Sequence, residues 1–103
     1  MRFLLKASIP VEAGNKAAKE GRLAKVIESI LKDLKPEAAY FLDEKGERTA
    51  FIFFHMQDSS EIPKITEPWM LALDASIEMH PVMAPEDLMK AAPSIDEAVR
   101  KYT

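Results

Sequence analysis

Two histidines, a lysine and a glutamate stand where β-type alternation can gather them onto one surface. Phe51, Phe53 and His55 alternate along one run, Glu78 and His80 along a second, and Arg2, Lys6 and Ser8 along a third. In a strand every second side chain shares a face. If the hairpin between Tyr40 and Phe51 turns at Lys45 and Gly46, register counting sets Tyr40 opposite Phe51, Leu42 opposite Thr49 and Ala38 opposite Phe53. Aromatic walls with a few convergent polar groups describe a small-molecule site, and a histidine can serve there as general acid or base. The candidate ligand-binding residues are Lys6, Tyr40, Phe51, Phe53, His55, Glu78 and His80, with His55 and His80 as the candidate catalytic groups. The alternative for the same residues is a rim at the strand ends, with the histidines solvated or hydrogen-bonded and Lys6 paired to Glu78.

Other chemistries find less support. Zero cysteines remove disulfides, a thiol nucleophile and thiolate metal sites together. His55, His80 and Glu78 lack the spacing of a metal-binding motif, so no metal is expected. Ser8 and Ser76 have no oriented histidine–acid partner of the hydrolase kind. The three glycines, Gly14, Gly21 and Gly46, are not spaced as a phosphate loop, and no cofactor is expected. Lys16, Lys19, Arg22 and Lys25 form a basic stripe, and residues 1–35 hold eight basic against four acidic groups. Glu20 and Glu28 interleave with that stripe, and a three-residue step drifts round a helix, so it reads as a solvated face and no nucleic-acid partner is expected. No apolar run reaches the ~20 residues of a membrane span. Only Phe3–Leu5 separate Arg2 from Lys6, too few for a signal-peptide core, and the expected compartment is the cytoplasm.

The elements that must hold these residues follow from periodicity. Alternation over residues 2–9, stopped by Pro10, predicts the first strand. Asn15 to Leu34 predicts one helix capped by Asn15, with Ala18, Ala24, Ile27, Ile30, Leu31 and Leu34 inward and Pro36 ending it. Gly21 then lies inside that helix, either as a tolerated small residue against the sheet or as a point of close backbone approach. Residues 38–43 and 49–56 predict a hairpin. Ser59 or Ser60 caps a second helix bearing Ile62, Ile65, Met70, Leu71 and Leu73, with Pro63 in its first turn and a kink at Pro68. Trp69, Met70, Met79, Met83 and Met89 read as gap-filling core, or as a cavity wall or dimer anchor. Residues 77–83 form the last strand, with Pro81 restricted to an edge or a bulge. The tail divides into two short helices, one opened by Pro85 and one by the Ser94–Glu97 capping box.

This order, strand, helix, strand, strand, helix, strand, is the ferredoxin-like split βαβ arrangement. It is an α+β fold with a four-stranded antiparallel sheet in order 4-1-3-2 and two helices on one face. The 103 residues make one domain, residues 1–84 the core and 85–103 a helical tail, and the 48% hydrophobic content suffices for one core. Yet the hairpin is apolar on both faces, and the run Ala50–Phe54 reads as buried on both. One chain's helices cover one face only. A second layer is required to cover Tyr40, Phe51 and Phe53, and the simplest is another copy, sheet facing sheet about a two-fold axis.

The chain resembles the dimeric α/β-barrel group of the ferredoxin-like fold and, within it, a small bacterial family of unassigned function. The resemblance is carried by Asn15, Gly21 and Leu23, by Leu34–Phe41, by Glu67–Pro68–Trp69 and by Pro81–Leu88. It implies a homodimer through the sheet face with a cavity on each protomer, and it transfers no catalytic signature. The leading expectation is a homodimer binding a small, apolar organic molecule in that cavity. One alternative is a cofactor-independent enzyme, isomerase- or monooxygenase-like, on an apolar substrate. Another is a structural or protein-interaction subunit with no ligand.

Overall fold

The computed structural model describes residues 1–103. The chain runs β1 (Arg2–Ile9), α1 (Val11–Lys19), α2 (Leu23–Leu34), β2 (Ala38–Glu44), β3 (Glu47–His55), a 3₁₀ turn (Ser59–Glu61), α3 (Ile62–Leu73), β4 (Ser76–Pro81) and α4 (Pro85–Tyr102). The four strands form one antiparallel sheet in the order β2-β3-β1-β4, so the ferredoxin-like topology expected from the sequence holds. Lys45 and Gly46 both take positive φ at the hairpin, the geometry that matches a two-residue turn to strand twist. Pro81 ends the edge strand β4, where its missing N–H breaks no ladder bond.

The core lies between the sheet and the helices. Leu5, Ala7 and Ile9 from β1, Ala50, Ile52 and Phe54 from β3, and Ile65, Trp69 and Leu73 from α3 are buried there with Ala17 and Ile30. Phe3 and Phe54 stack with ring centroids 5.8 Å apart. Trp69 is fully buried and its indole N–H has no partner, so it serves the core by volume alone.

Several expectations about helices are corrected. The stretch read as one helix from Asn15 to Leu34 is two, starting at Val11 after Pro10, with Asn15 inside α1. Gly21 separates them at φ +71, and a Cβ there would meet nothing within 4 Å. It is a left-handed hinge residue, neither an interior helical glycine nor a close-approach site. Ala18 and Ala24 are consequently exposed. The close approach falls at Gly14, where a Cβ would lie 2.5 Å from the Arg48 guanidinium.

Neither Ser59 nor Ser60 caps α3: Asp58 caps the 3₁₀ turn that leads into it, and Glu61 holds the N-cap position of α3 itself. The Asp58 carboxylate accepts from the Ser60 amide at 2.9 Å, which holds it below the usual carboxylate range. Glu61 accepts in return from the Asp58 amide at 2.9 Å, completing a capping box. Leu71 is 80% exposed, and Met83 and Met89 lie outside the core. The tail is one helix, α4, continuous through Pro93 rather than broken before Ser94. Pro93 leaves the Met89 carbonyl without its helical donor, and on an exposed helix water can supply it.

Candidate small-molecule site on the open sheet face

The register fixes the uncovered face row by row. His80, Leu4, Phe53 and Ala38 form one row across β4, β1, β3 and β2. Glu78, Lys6, Phe51 and Tyr40 form the next, and Ser76, Ser8, Thr49 and Leu42 the third. All seven candidate ligand-binding residues therefore share this face, which spans about 14 Å between its outer strands at the usual strand spacing. Phe51 and Phe53 are half-buried among their neighbours, while Tyr40 on the edge strand is 61% exposed. His55 and His80 lie on strands separated by β1, opposite Arg2 and Leu4 respectively, so they do not touch across the sheet.

A hydrogen-bonded polar cluster sits at the end of the face where β3 stops. His55 pairs with Arg2 in the ladder. Glu37, just ahead of β2, is fixed by its own amide donating to the Phe53 carbonyl at 2.8 Å. Its Oε1 accepts from Arg2 Nε at 2.7 Å and lies 3.2 Å from His55 Nε2. The hydrogen bond from Arg2, helped by its charge and by His55, holds the Glu37 carboxyl below its ordinary value, while the same bond raises the Arg2 guanidinium. An ionised carboxylate only accepts, so His55 Nε2 carries the hydrogen directed at it. In the neutral ring Nδ1 is then the acceptor. Glu37 escaped sequence reading because it precedes the strand and follows Pro36, where alternation has not begun.

Lys6 does not pair with Glu78, as the rim alternative supposed. Its Nζ lies 2.5 Å from Glu44 Oε2, and that hydrogen bond holds the ammonium pKa above its ordinary value, with Glu78 a lesser electrostatic contributor. Glu44 belongs to the row opposite Glu47, so the lysine arm crosses the row of Thr49, which is buried. His80 Nε2 lies 3.8 Å from Glu78 Oε2, and both side chains are largely exposed. No group of three or more potential metal ligands converges anywhere in the molecule.

Two clefts of about 380 Å³ each lie at the margins of this face, one reaching Leu42 and Thr49 and the other His55. One, at the helix-side edge of the hairpin, is lined by Ile9, Ile27, Phe41 and Arg48 among others. The other lies between α2 and α3, with Ser29, Asp33, Glu61 and Lys64, and touches His55 from behind the strand end. The open face of a single copy is thus a floor with polar groups at its margins and no opposite wall.

Comparison with known proteins places the fold. The chain is similar to the 5-chloro-2-hydroxyhydroquinone dehydrochlorinase TftG from Burkholderia phenoliruptrix AC1100, solved in complex with 2,5-dihydroxybenzoquinone. The TM-score is 0.64 at 15% identity, over 84% of this chain and 97% of that one. It is also similar to a formyltetrahydrofolate deformylase from Pseudomonas putida KT2440, with a TM-score of 0.51 at 13% identity, over 80% of this chain but only 29% of that one. No curated protein matches the sequence. No helix is long and apolar enough to cross a membrane. The pattern of one sequence family covers residues 1–95, the whole α+β body and more than half of α4, and the chain belongs to that family, the domain of unknown function DUF3303.

Proposed function

We propose that the open sheet face binds a small, flat, hydroxylated organic molecule, with the sheet of a second copy as its opposite wall. The observation that carries this reading is the Arg2–Glu37–His55 cluster beside an apolar floor. Leu4, Phe51 and Phe53 offer a surface for a ring, and the His55 Nδ1 lone pair offers an acceptor for a hydroxyl on that ring. Lys6, two residues beyond Leu4 on β1, and His80, opposite Leu4 on β4, are the further polar contacts. Covering the exposed ring of Tyr40 and the half-buried rings of Phe51 and Phe53 supplies the drive for the second copy, since an aromatic ring can bury up to about 150–250 Å².

A second reading, a cofactor-independent proton-transfer enzyme, draws on the same Nδ1. A hydroxyl bound there could pass its proton to the imidazole while Glu37 and Arg2 hold the ring in place. The similarity to TftG shows the fold alone. The molecule in that protein's complex, 2,5-dihydroxybenzoquinone, nevertheless suits the floor described here and makes a rational first probe.

The test is a thermal-shift titration with 2,5-dihydroxybenzoquinone and dihydroxybenzoates, since a ligand that binds only the folded state stabilises it by about 2.7 kcal/mol at a hundredfold excess over Kd. The wild-type chain is expected to melt higher with at least one probe, and His55→Gln to lose that response without melting lower by itself. Equal responses from both proteins would remove His55 from the site. No response to any probe, with the face filled by its own aromatics in the two-copy species, would favour a purely structural subunit.

A further inference from the structure

Arg48 and Asp43 stand opposite each other where β3 pairs with the edge strand β2, with Cβ atoms about 5 Å apart at the usual spacing. Neither forms an ion pair, with the other or with any further residue. Arg48 turns away, toward α1. One Nη donates to the Asn15 side-chain oxygen at 3.1 Å, and the other lies against the buried Gly14, where a Cβ would come within 2.5 Å of it. The missing side chain at Gly14 leaves the space in which the guanidinium rests, and a neutral amide holds it there. Its charge and most of its five N–H donors stay uncommitted.

Both charges line the cleft of about 380 Å³ beside the hairpin, a volume within the roughly 300–1,000 Å³ of small-molecule sites. Ile9 and Ala50 give it buried apolar surface, Ile27 of α2 half-buried surface, and Phe41 an exposed ring on the edge strand. An apolar cleft with a fixed cation and an anion that do not neutralise each other fits a molecule carrying both charges on neighbouring atoms beside an apolar body. We infer that this cleft binds a free α-amino acid with an apolar side chain, its carboxylate on Arg48, its ammonium on Asp43 and its side chain against Ile9, Ile27 and Phe41. Arginine suits the carboxylate because its planar fork can donate two parallel hydrogen bonds to it. A simple carboxylate would meet Asp43 as a like charge, and a simple amine would meet Arg48, so the zwitterion alone satisfies both. The site is separate from the open face. Phe41, Asp43 and Arg48 share the helix side of the sheet with Ala50, and none of the residues proposed for the open face takes part.

Calorimetric titration of the full chain with L-leucine and with L-phenylalanine tests this. Saturable binding of at least one is expected. Isocaproate and isoamylamine, which keep the apolar body of leucine but only one of its charges each, are expected to bind more weakly by about tenfold or more. Arg48→Met should lose the amino-acid response, and Asp43→Asn should weaken it by about tenfold. Gly14→Ala keeps Arg48 but pushes its guanidinium, the far end of a flexible side chain, out of its resting place. Alanine suits a helix better than glycine, so this variant is expected to fold and still to bind more weakly. Absence of saturable binding of either amino acid by the wild-type chain at millimolar concentration would overturn the proposal. Isocaproate binding as tightly as leucine would overturn the part given to Asp43. Unchanged affinity in Arg48→Met or in Gly14→Ala would overturn the part given to the fixed guanidinium.

Discussion

Arg2 and His55 face each other across the β1–β3 ladder, and both direct a nitrogen at one oxygen, Oε1 of Glu37. One carboxylate thereby ties the start of β1, the end of β3 and the segment entering β2. It also fixes which nitrogen of His55 is turned outward. The open face gains a defined polar end from three side chains that are individually half-exposed or exposed.

Acid should undo this cluster. The Glu37 carboxyl is held below its ordinary value of 4.5 by Arg2. Its contribution to stability is therefore present above that value and is lost as pH falls through the lower folded value. Melting curves of wild type and Glu37→Gln, recorded from neutral pH downward, are expected to separate slightly above pH 4.5 and to converge below it. A gap that widens on acidification would contradict the assignment. The gap stays small because the pair is open to solvent.

Gly21 offers a test whose sign alone decides. Inside a helix, glycine to alanine stabilises by about 1 kcal/mol. At φ +71 between two helices, alanine instead adopts a left-handed conformation that costs about 1–2 kcal/mol. Urea denaturation of Gly21→Ala is expected to show a loss.

Trp69 should behave as pure volume. With no solvent exposure and an unpartnered indole N–H, Trp69→Ala is expected to cost about 3–5 kcal/mol. Trp69→Phe should retain most of the stability, since no hydrogen bond is lost. Equal losses from both variants, measured by chemical denaturation, would mean that the N–H does have a partner.

The sheet-face contact can be weighed directly. The wild-type chain is expected to sediment as a species of at least twice the 11.6 kDa chain mass. Phe51→Lys is expected to sediment as a monomer. Phe51 lies outside the buried core, so the variant should remain folded. Persistence of the larger species would locate the contact elsewhere.

Strand order, hairpin register and the identity of the open face were legible in the sequence. Alternation has a period of two, and once Lys45 and Gly46 set the turn, Tyr40 had to oppose Phe51 and Lys6 had to share a face with Glu78. The absence of cysteine excluded thiol chemistry, and the alternation of residues along the hairpin made both of its faces apolar. Only the tertiary structure decided which charges meet. Lys6 reaches along the face to Glu44, and Glu37 gathers Arg2 and His55 from partners 35 and 18 residues away, because a long flexible side chain answers to distance in space and not to spacing along the chain. The helix breaks followed the same logic. A glycine or proline in a periodic run fits an interior or an end equally well, until packing fixes φ at Gly21 and leaves Pro93 in water.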